Sequence, residues 1–354
     1  MTIPFIAVSD THFGYDRSIL NDFSALSNLA ESLGDICKHK VNRLILNGDI
    51  WEICVPKDVG DDGPVSGITP YTASVSKDFF SILGDYLDVQ EVVIIPGNHD
   101  YTLWRQATYN NAPDNNKGPC PTFDLRSTRI GRTILASLLG PSSGLYPKVT
   151  LAYPTYFLGG QWPYCAFHHG HLLDDLIIGQ AADAEYTALS ALGVKQRPPV
   201  VLDGQETLSS LSLKTDNFLS SLWASNSPAR SAMWALIRRD DTRAFCPSVP
   251  QEGYSEVQLE TFENDLGKNL RWFIDLLTVD SHSPTPIGDK NHPSYLFVGH
   301  DHLGGMAEMG GPDGYKWTVI NTGGWTQDGE GPPHGHAVVW DNELHAPKVF
   351  AIRV

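Results

Sequence analysis

Three short apolar runs, each ending in a polar cluster, constrain this chain more than any other feature. Phe5–Ser9 closes on Asp10-Thr11-His12, Arg43–Asn47 runs into Gly48-Asp49, and Glu91–Pro96 ends in Gly97-Asn98-His99-Asp100. After the first run, Leu20, Phe23, Leu26, Leu29, Leu33 and Ile36 recur at helical spacing, and a second helix is expected over Tyr71–Leu87. Strand, helix, strand, helix, strand is the order of an α/β fold with parallel strands. In such sheets ligands bind beyond the carboxyl ends of the strands, which is where the polar clusters of this chain fall.

Further along, Ile130–Leu139 reads as a helix and Lys148–Leu158 as extended chain. Between them, Gly140-Pro141-Ser142-Ser143-Gly144 matches the G-x-S-x-G pattern of serine hydrolases. That elbow needs a strand before it and a helix after it, and here the order is reversed, so Ser142 is excluded as a nucleophile. Residues 174–290 carry helix-like segments such as Glu256–Leu277, broken by Pro198-Pro199 and Pro247, and predict an α-rich insertion within a single domain of residues 1–354. Trp223, Trp234 and Trp272 in the insertion either line a cap or pack its helices. Short strands then return at Tyr295–Val298, Trp317–Asn321, Ala337–Asp341 and Lys348–Arg353.

Charge narrows the partners. Lys and Arg number 25 against 41 Asp and Glu, a formal net charge of −16, which repels polyanions and argues against nucleic acid. Val149–Phe167, the longest uncharged apolar stretch, is interrupted by Pro154, Gly159, Gly160 and Pro163, so no transmembrane segment is expected. Met1-Thr2-Ile3-Pro4-Phe5 lacks the features of a secretory signal. The five cysteines are scattered and form no C-x-x-C pair. A reduced, cytoplasmic compartment is the expectation.

The histidines carry the chemistry. Of the 13, His12, His99, His168, His169, His171, His300 and His302 fall in clusters at strand ends, together with Asp10, Asp49 and Asn98. Carboxylates, imidazoles and an amide oxygen without thiolate form a mixed O/N donor set that suits Mn²⁺, Fe or Zn²⁺. One tetrahedral ion would not use them all. Two ions about 3.5–4 Å apart and sharing a carboxylate would, and such a pair clamps the attacking and leaving oxygens of a phosphoryl displacement.

Taken in order, Asp10-Thr11-His12, Gly48-Asp49, Gly97-Asn98-His99-Asp100, His169-Gly170 and Gly299-His300-Asp301-His302 resemble the motifs of the calcineurin-like metallophosphoesterases. The resemblance covers about residues 1–105, 150–172 and 294–354. It implies an α/β fold of two packed mixed β-sheets flanked by helices, a four-layer αββα arrangement. It also implies hydrolysis of a small-molecule phosphodiester, pyrophosphate-linked ester or phosphomonoester by two divalent ions, Mn²⁺ foremost, with Fe or Zn²⁺ as the other candidates. Carried over by position, Asp10, His12 and His302 hold one ion, Asp49 bridges, and Asn98, His169 and His300 hold the other. His99 resembles the catalytic histidine, and Asp100 beside it is counted as catalytic with it, while His168, His171 and Trp51 are candidates for contact with substrate. Gly48-Asp49-Ile50-Trp51-Glu52 and the run Gly97–Trp104 are similar to the branch of the UDP-diacylglucosamine pyrophosphatases. A nuclease acting on DNA or RNA ends and a non-catalytic scaffold of the same fold are the alternatives, and homo-oligomerisation is left open.

Overall fold

The computed structural model describes residues 3–53, 67–108, 122–158, 165–173, 251–258, 261–263, 294–300, 304–310, 316–327 and 335–354, with 187, 190–191, 270, 273–274 and 302 besides. The chain opens with β1 (Ile6–Val8), α1 (Phe23–Ile36), β2 (Lys40–Asn47), α2 (Pro70–Tyr86), β3 (Asp88–Ile95) and α3 (Thr102–Thr108). β4 (Thr122–Asp124), α4 (Arg129–Leu138), β5 (Lys148–Ala152), β6 (Thr155–Leu158) and β7 (Cys165–His168) follow. The rest comprises β8 (Gly253–Val257), β9 (Thr261–Glu263), β10 (Ser294–Val298), β11 (Gly304–Gly310), β12 (Lys316–Thr322), β13 (His336–Asp341) and β14 (Ala346–Arg353).

Eight strands form one mixed sheet in the order β4-β5-β3-β2-β1-β13-β14-β8, and six form a second in the order β6-β7-β10-β12-β11-β9. β1, β2, β3 and β5 run parallel, and so do β7, β10 and β12. Alternation along the strands explains why the central strands of the first sheet are buried on both faces. Ile6, Val8, Leu44, Leu46, Val92 and Ile94 point to the core shared with α1, α2 and α4, where Leu26, Phe79, Phe80 and Ile134 meet them. Ala7, Ile45, Val93 and Ile95 point the other way, onto Phe167, Phe297 and Ile320 of the second sheet. Strands buried on both faces read as continuous apolar runs, which is the pattern of Arg43–Asn47 and Glu91–Pro96.

Helix starts are set by caps. Asp22 is extended and its carboxylate accepts from the amides of Ser24 and Ala25, so α1 begins at Phe23 and the preceding Ile19–Asn21 forms a separate 3-10 turn. The helical spacing that began at Leu20 therefore overran the true start. Thr69 accepts from Thr72 N ahead of Pro70, and Thr128 from Gly131 N, which start α2 and α4.

Two expectations are corrected in the second half. The helix expected over Glu256–Leu277 is, at its start, two edge strands: β8 pairs antiparallel with β14, and β9 pairs parallel with β11. Backbone pairing with these neighbours overrides the local apolar spacing. Leu270, Phe273 and Ile274, later in the same stretch, are helical and buried. β11 was not anticipated either, since Gly304-Gly305 has little strand propensity, yet it pairs with β12 along its whole length. Trp223, Trp234, Trp272 and most of the insertion lie outside the described residues. Among those described, no helix is long and apolar enough to cross a membrane.

Candidate metal centre

The parallel strands deliver their carboxyl ends to one place. Asp10 and His12 follow β1, Asp49 follows β2, Asn98 follows β3, His169 follows β7 and His300 follows β10. Backbone hydrogen bonds then draw the loops together: Asp10 N donates to Gly48 O, His12 N to Asp49 O, Gly299 N to His169 O and Trp325 N to Asp10 O. Asn47, at the end of β2, donates its side-chain amide to His168 O and Phe297 O at 3.2 Å each, joining the two sheets directly below the site.

Asp10, His12, Asp49, His300 and His302 all adopt positive φ, between 47° and 84°. Such conformations cost a non-glycine residue about 1–3 kcal/mol each and persist only where the surroundings impose them. Their concentration at one point makes this the candidate functional site.

Three groups of donors result among the described residues. Asp10, His12 and His302 form one, Asp49, His169 and His300 a second, and His12, Glu52 and His99 a third that shares His12 with the first, with the donor atoms of each group within 4.8 Å of one another. His12 Nε2 lies 3.0 Å from His302 Nε2, 3.9 Å from Asp10 Oδ1 and 3.8 Å from Asp49 Oδ2. His169 Nε2 lies 3.1 Å from both Asp49 Oδ2 and Asn98 Oδ1. Two ligand atoms bonded at about 2.1 Å around a tetrahedral ion stand about 3.4 Å apart, so these separations are those of atoms converging on a common cation. The residues present fit divalent metal ions.

Ring orientation supports the same use. His169 Nδ1 donates to the carbonyl of Asn47 at 3.2 Å, which leaves the Nε2 lone pair facing Asp49 and Asn98. His302 Nδ1 is engaged by Thr326 Oγ1 at 2.6 Å, leaving its Nε2 towards His12. Two imidazole lone pairs 3.0 Å apart repel unless a cation or proton lies between them.

The electrostatics follow from burial and proximity. Burial lowers His12 below its usual value, helped by His99 and His302, which keeps it neutral and able to donate a lone pair. Burial opposes the charge on Asp49, but His169 and His99 outweigh it and hold the carboxyl well below the usual range. Burial likewise disfavours a charged His169, yet Asp49 and Asp10 push it up to about 9. The centre is thus an anionic cluster that holds protons where cations can replace them.

Beside this cluster, His99 Nδ1 bonds Glu52 Oε2 at 2.7 Å, and its Nε2 stands 3.9 Å from Asp49 Oδ2. Burial works against a charged His99, but Glu52 and then Asp49 raise it to about 10. Glu52 moves the opposite way, to about 2, because His99 and His12 overcome its desolvation. Glu52 was missed as a functional residue in the sequence, although a carboxylate three positions after Asp49 was the available signal. Asn47 and Thr326 were missed as well, and only their contacts reveal them.

Four further candidate residues are buried away from the surface. Trp51 is fully buried, its indole N–H donating to Ser76 Oγ at 2.7 Å and its ring stacked near Phe80, so it belongs to the helix-side core and not to a substrate surface. Asp100 is fully buried with both oxygens occupied by backbone amides, so it cannot be a reacting group. His168 and His171 are fully buried too. His168 Nδ1 donates to Pro154 O at 2.8 Å and its ring packs on Phe273, while His171 stacks on Tyr153 with its Nε2 3.4 Å from the phenol oxygen. Both therefore line the floor behind His169 and are not exposed for substrate contact.

No curated protein matches the chain. Residues 3–171, which carry β1 to β7 and all the candidate donors except His300 and His302, match the model of the calcineurin-like phosphoesterases. This match covers 169 of the 354 residues, just under half of the chain, and the two packed mixed sheets with donor clusters at their strand ends accord with it.

Proposed function

We propose that the chain is a dinuclear metallophosphoesterase in which Asp10, His12 and His302 hold one divalent ion, Asn98, His169 and His300 the other, and Asp49 both. The observation that carries this reading is the pair of adjacent donor clusters on strained backbone, with the His99–Glu52 pair beside them. When bound, such ions activate a water for in-line attack on phosphorus and neutralise the phosphoryl oxygens. His99, anchored through Nδ1 by Glu52, presents Nε2 to the side of the cluster where a phosphoryl oxygen would sit, and it can donate a hydrogen bond or a proton to that oxygen or to the leaving oxygen. Thr326 and the carbonyl of Asn47 hold the rings of His302 and His169 in register. The mixed imidazole and carboxylate donor set accepts Mn²⁺, Fe or Zn²⁺, and Mn²⁺ is the ion proposed here.

The substrate is a small molecule carrying a sizeable group on phosphorus, a diester or a pyrophosphate-linked ester. Supporting this, the chain between the His169 and His300 motifs is far longer than a connection needs, and Phe273 within it packs on His168 beside His169. Remote contacts with such a group would hold the phosphorus in line for attack. Cys37 and Cys165 are free and buried, with burial pushing the Cys37 thiol up to about 12, in keeping with a reduced cytoplasmic setting.

Metal analysis after reconstitution with Mn²⁺, combined with a panel of a monoester, a diester, a cyclic nucleotide and a nucleotide pyrophosphate, tests the reading. Two ions per chain and turnover fastest on the diester or pyrophosphate are expected. Fewer than one ion per chain, or no turnover on any member, would refute it.

A second prediction arises from close packing at Gly97, where a methyl group would overlap Asp49 Oδ1 and the ring of His169. Gly97→Ala is expected to weaken Mn²⁺ binding by about 10–100-fold, the scale on which disturbing the support of a metal ligand acts. Calorimetric titration of metal-free protein measures this, with far-UV circular dichroism expected to match that of wild type.

A further inference from the structure

We propose that Asp100 is a positioning residue that sets the distance between the loops after β2 and β3, acting through the backbone beside Asp49 and Asn98. The inference rests on the dinuclear reading above. Asp100 Oδ2 accepts from the amides of Ile50 at 2.9 Å and Trp51 at 3.3 Å, and Oδ1 accepts from Gly97 N at 2.6 Å. Ile50 directly follows Asp49, and Gly97 directly precedes Asn98. A single carboxylate therefore grips both ligand-bearing loops next to their ligands.

Its place in the sheet explains why such a grip is required. The ladder between β2 and β3 ends at the pair Asn47 and Ile95, so Asp49 and Asn98 lie beyond the last paired residues. Another cross-link there, from His99 N to Asp49 Oδ1 at 2.8 Å, uses an oxygen of a candidate ligand. The Asp100 carboxylate joins the loops without drawing on a ligand's own atoms. Complete burial keeps water from competing for the three amides.

Asp100→Asn keeps the shape but has one acceptor oxygen, and its NH₂ group faces amides that themselves donate. At least one of the three amides then loses its partner, and the loops relax apart. Mn²⁺ affinity of the metal-free variant is expected to fall by about 10–100-fold. At saturating Mn²⁺, kcat should fall while KM stays at the wild-type value, because Asp100 does not face substrate. A merely structural role would lower the melting temperature and leave Mn²⁺ affinity and kcat unchanged at temperatures where the variant is folded. D100N with wild-type Mn²⁺ affinity would overturn the proposal while leaving the dinuclear reading intact. Wild-type protein that takes up no Mn²⁺ would overturn both. If D100N does not fold, Asp100→Ser retains one acceptor in a smaller side chain, and wild-type Mn²⁺ affinity in that variant would equally overturn the proposal.

Discussion

Asp49→Asn should lose bound metal and turnover together while the protein stays folded. Asp49 Oδ2 stands 3.1 Å from His169 Nε2, 3.8 Å from His12 Nε2 and 3.9 Å from His99 Nε2, so one carboxylate faces both donor clusters and the neighbouring histidine. The amide of Asn is neutral, so its oxygen binds two cations far more weakly than the carboxylate does. Loss of the bridge removes several kcal/mol of charge stabilisation in the transition state, or a fall in kcat/KM of about 10³-fold or more. The apolar cores on either face of the first sheet do not include Asp49, which is why the fold should survive. Metal content by mass spectrometry and turnover on a diester measure the two effects. Full activity with two ions bound would contradict the bridging role.

His99→Ala separates chemistry from metal binding. Asn98, and not His99, faces His169, at 3.1 Å between Oδ1 and Nε2, so both ions should remain in the variant. Turnover should slow by about 10²–10⁴-fold, the range for a positioned proton donor. Activated leaving groups such as nitrophenolate should suffer less, because they depart without a proton. Loss of an ion from the variant would instead make His99 a metal ligand. Metal-stripped protein offers an independent check. There, the Glu52 and Asp49 carboxylates hold His99 at about 10, against about 6.5 in an unfolded chain. A group raised in this way contributes stability in full below about pH 6.5, and the contribution fades as the pH rises towards 10. Denaturant unfolding of stripped protein should therefore show a loss of stability across that window in wild type and a smaller loss in H99A.

Sequence alone carried the architecture around β1, β2 and β3 because each strand is buried on both faces and so reads as an unbroken apolar run. It also predicted where the candidate donors meet, since Asp10, His12, Asp49, Asn98 and His99 could only follow those runs, and parallel strands bring their ends together. Local pattern has no access to what packs against a residue, and the outcomes that depended on tertiary contact diverged. Gly253–Val257 and Thr261–Glu263 became strands because β14 and β11 offered them backbone partners. Trp51 sits one residue from Glu52, yet the chain's direction buries its indole on Ser76 and sends the Glu52 carboxylate to His99. Asp100 neighbours His99 but turns inward onto three amides contributed by two loops. A strand end in the sequence says that a polar side chain lies at the edge of the sheet. Whether that side chain faces the cations, a neighbouring loop or the core is decided by backbone dihedrals and by contacts between residues tens to hundreds of positions apart.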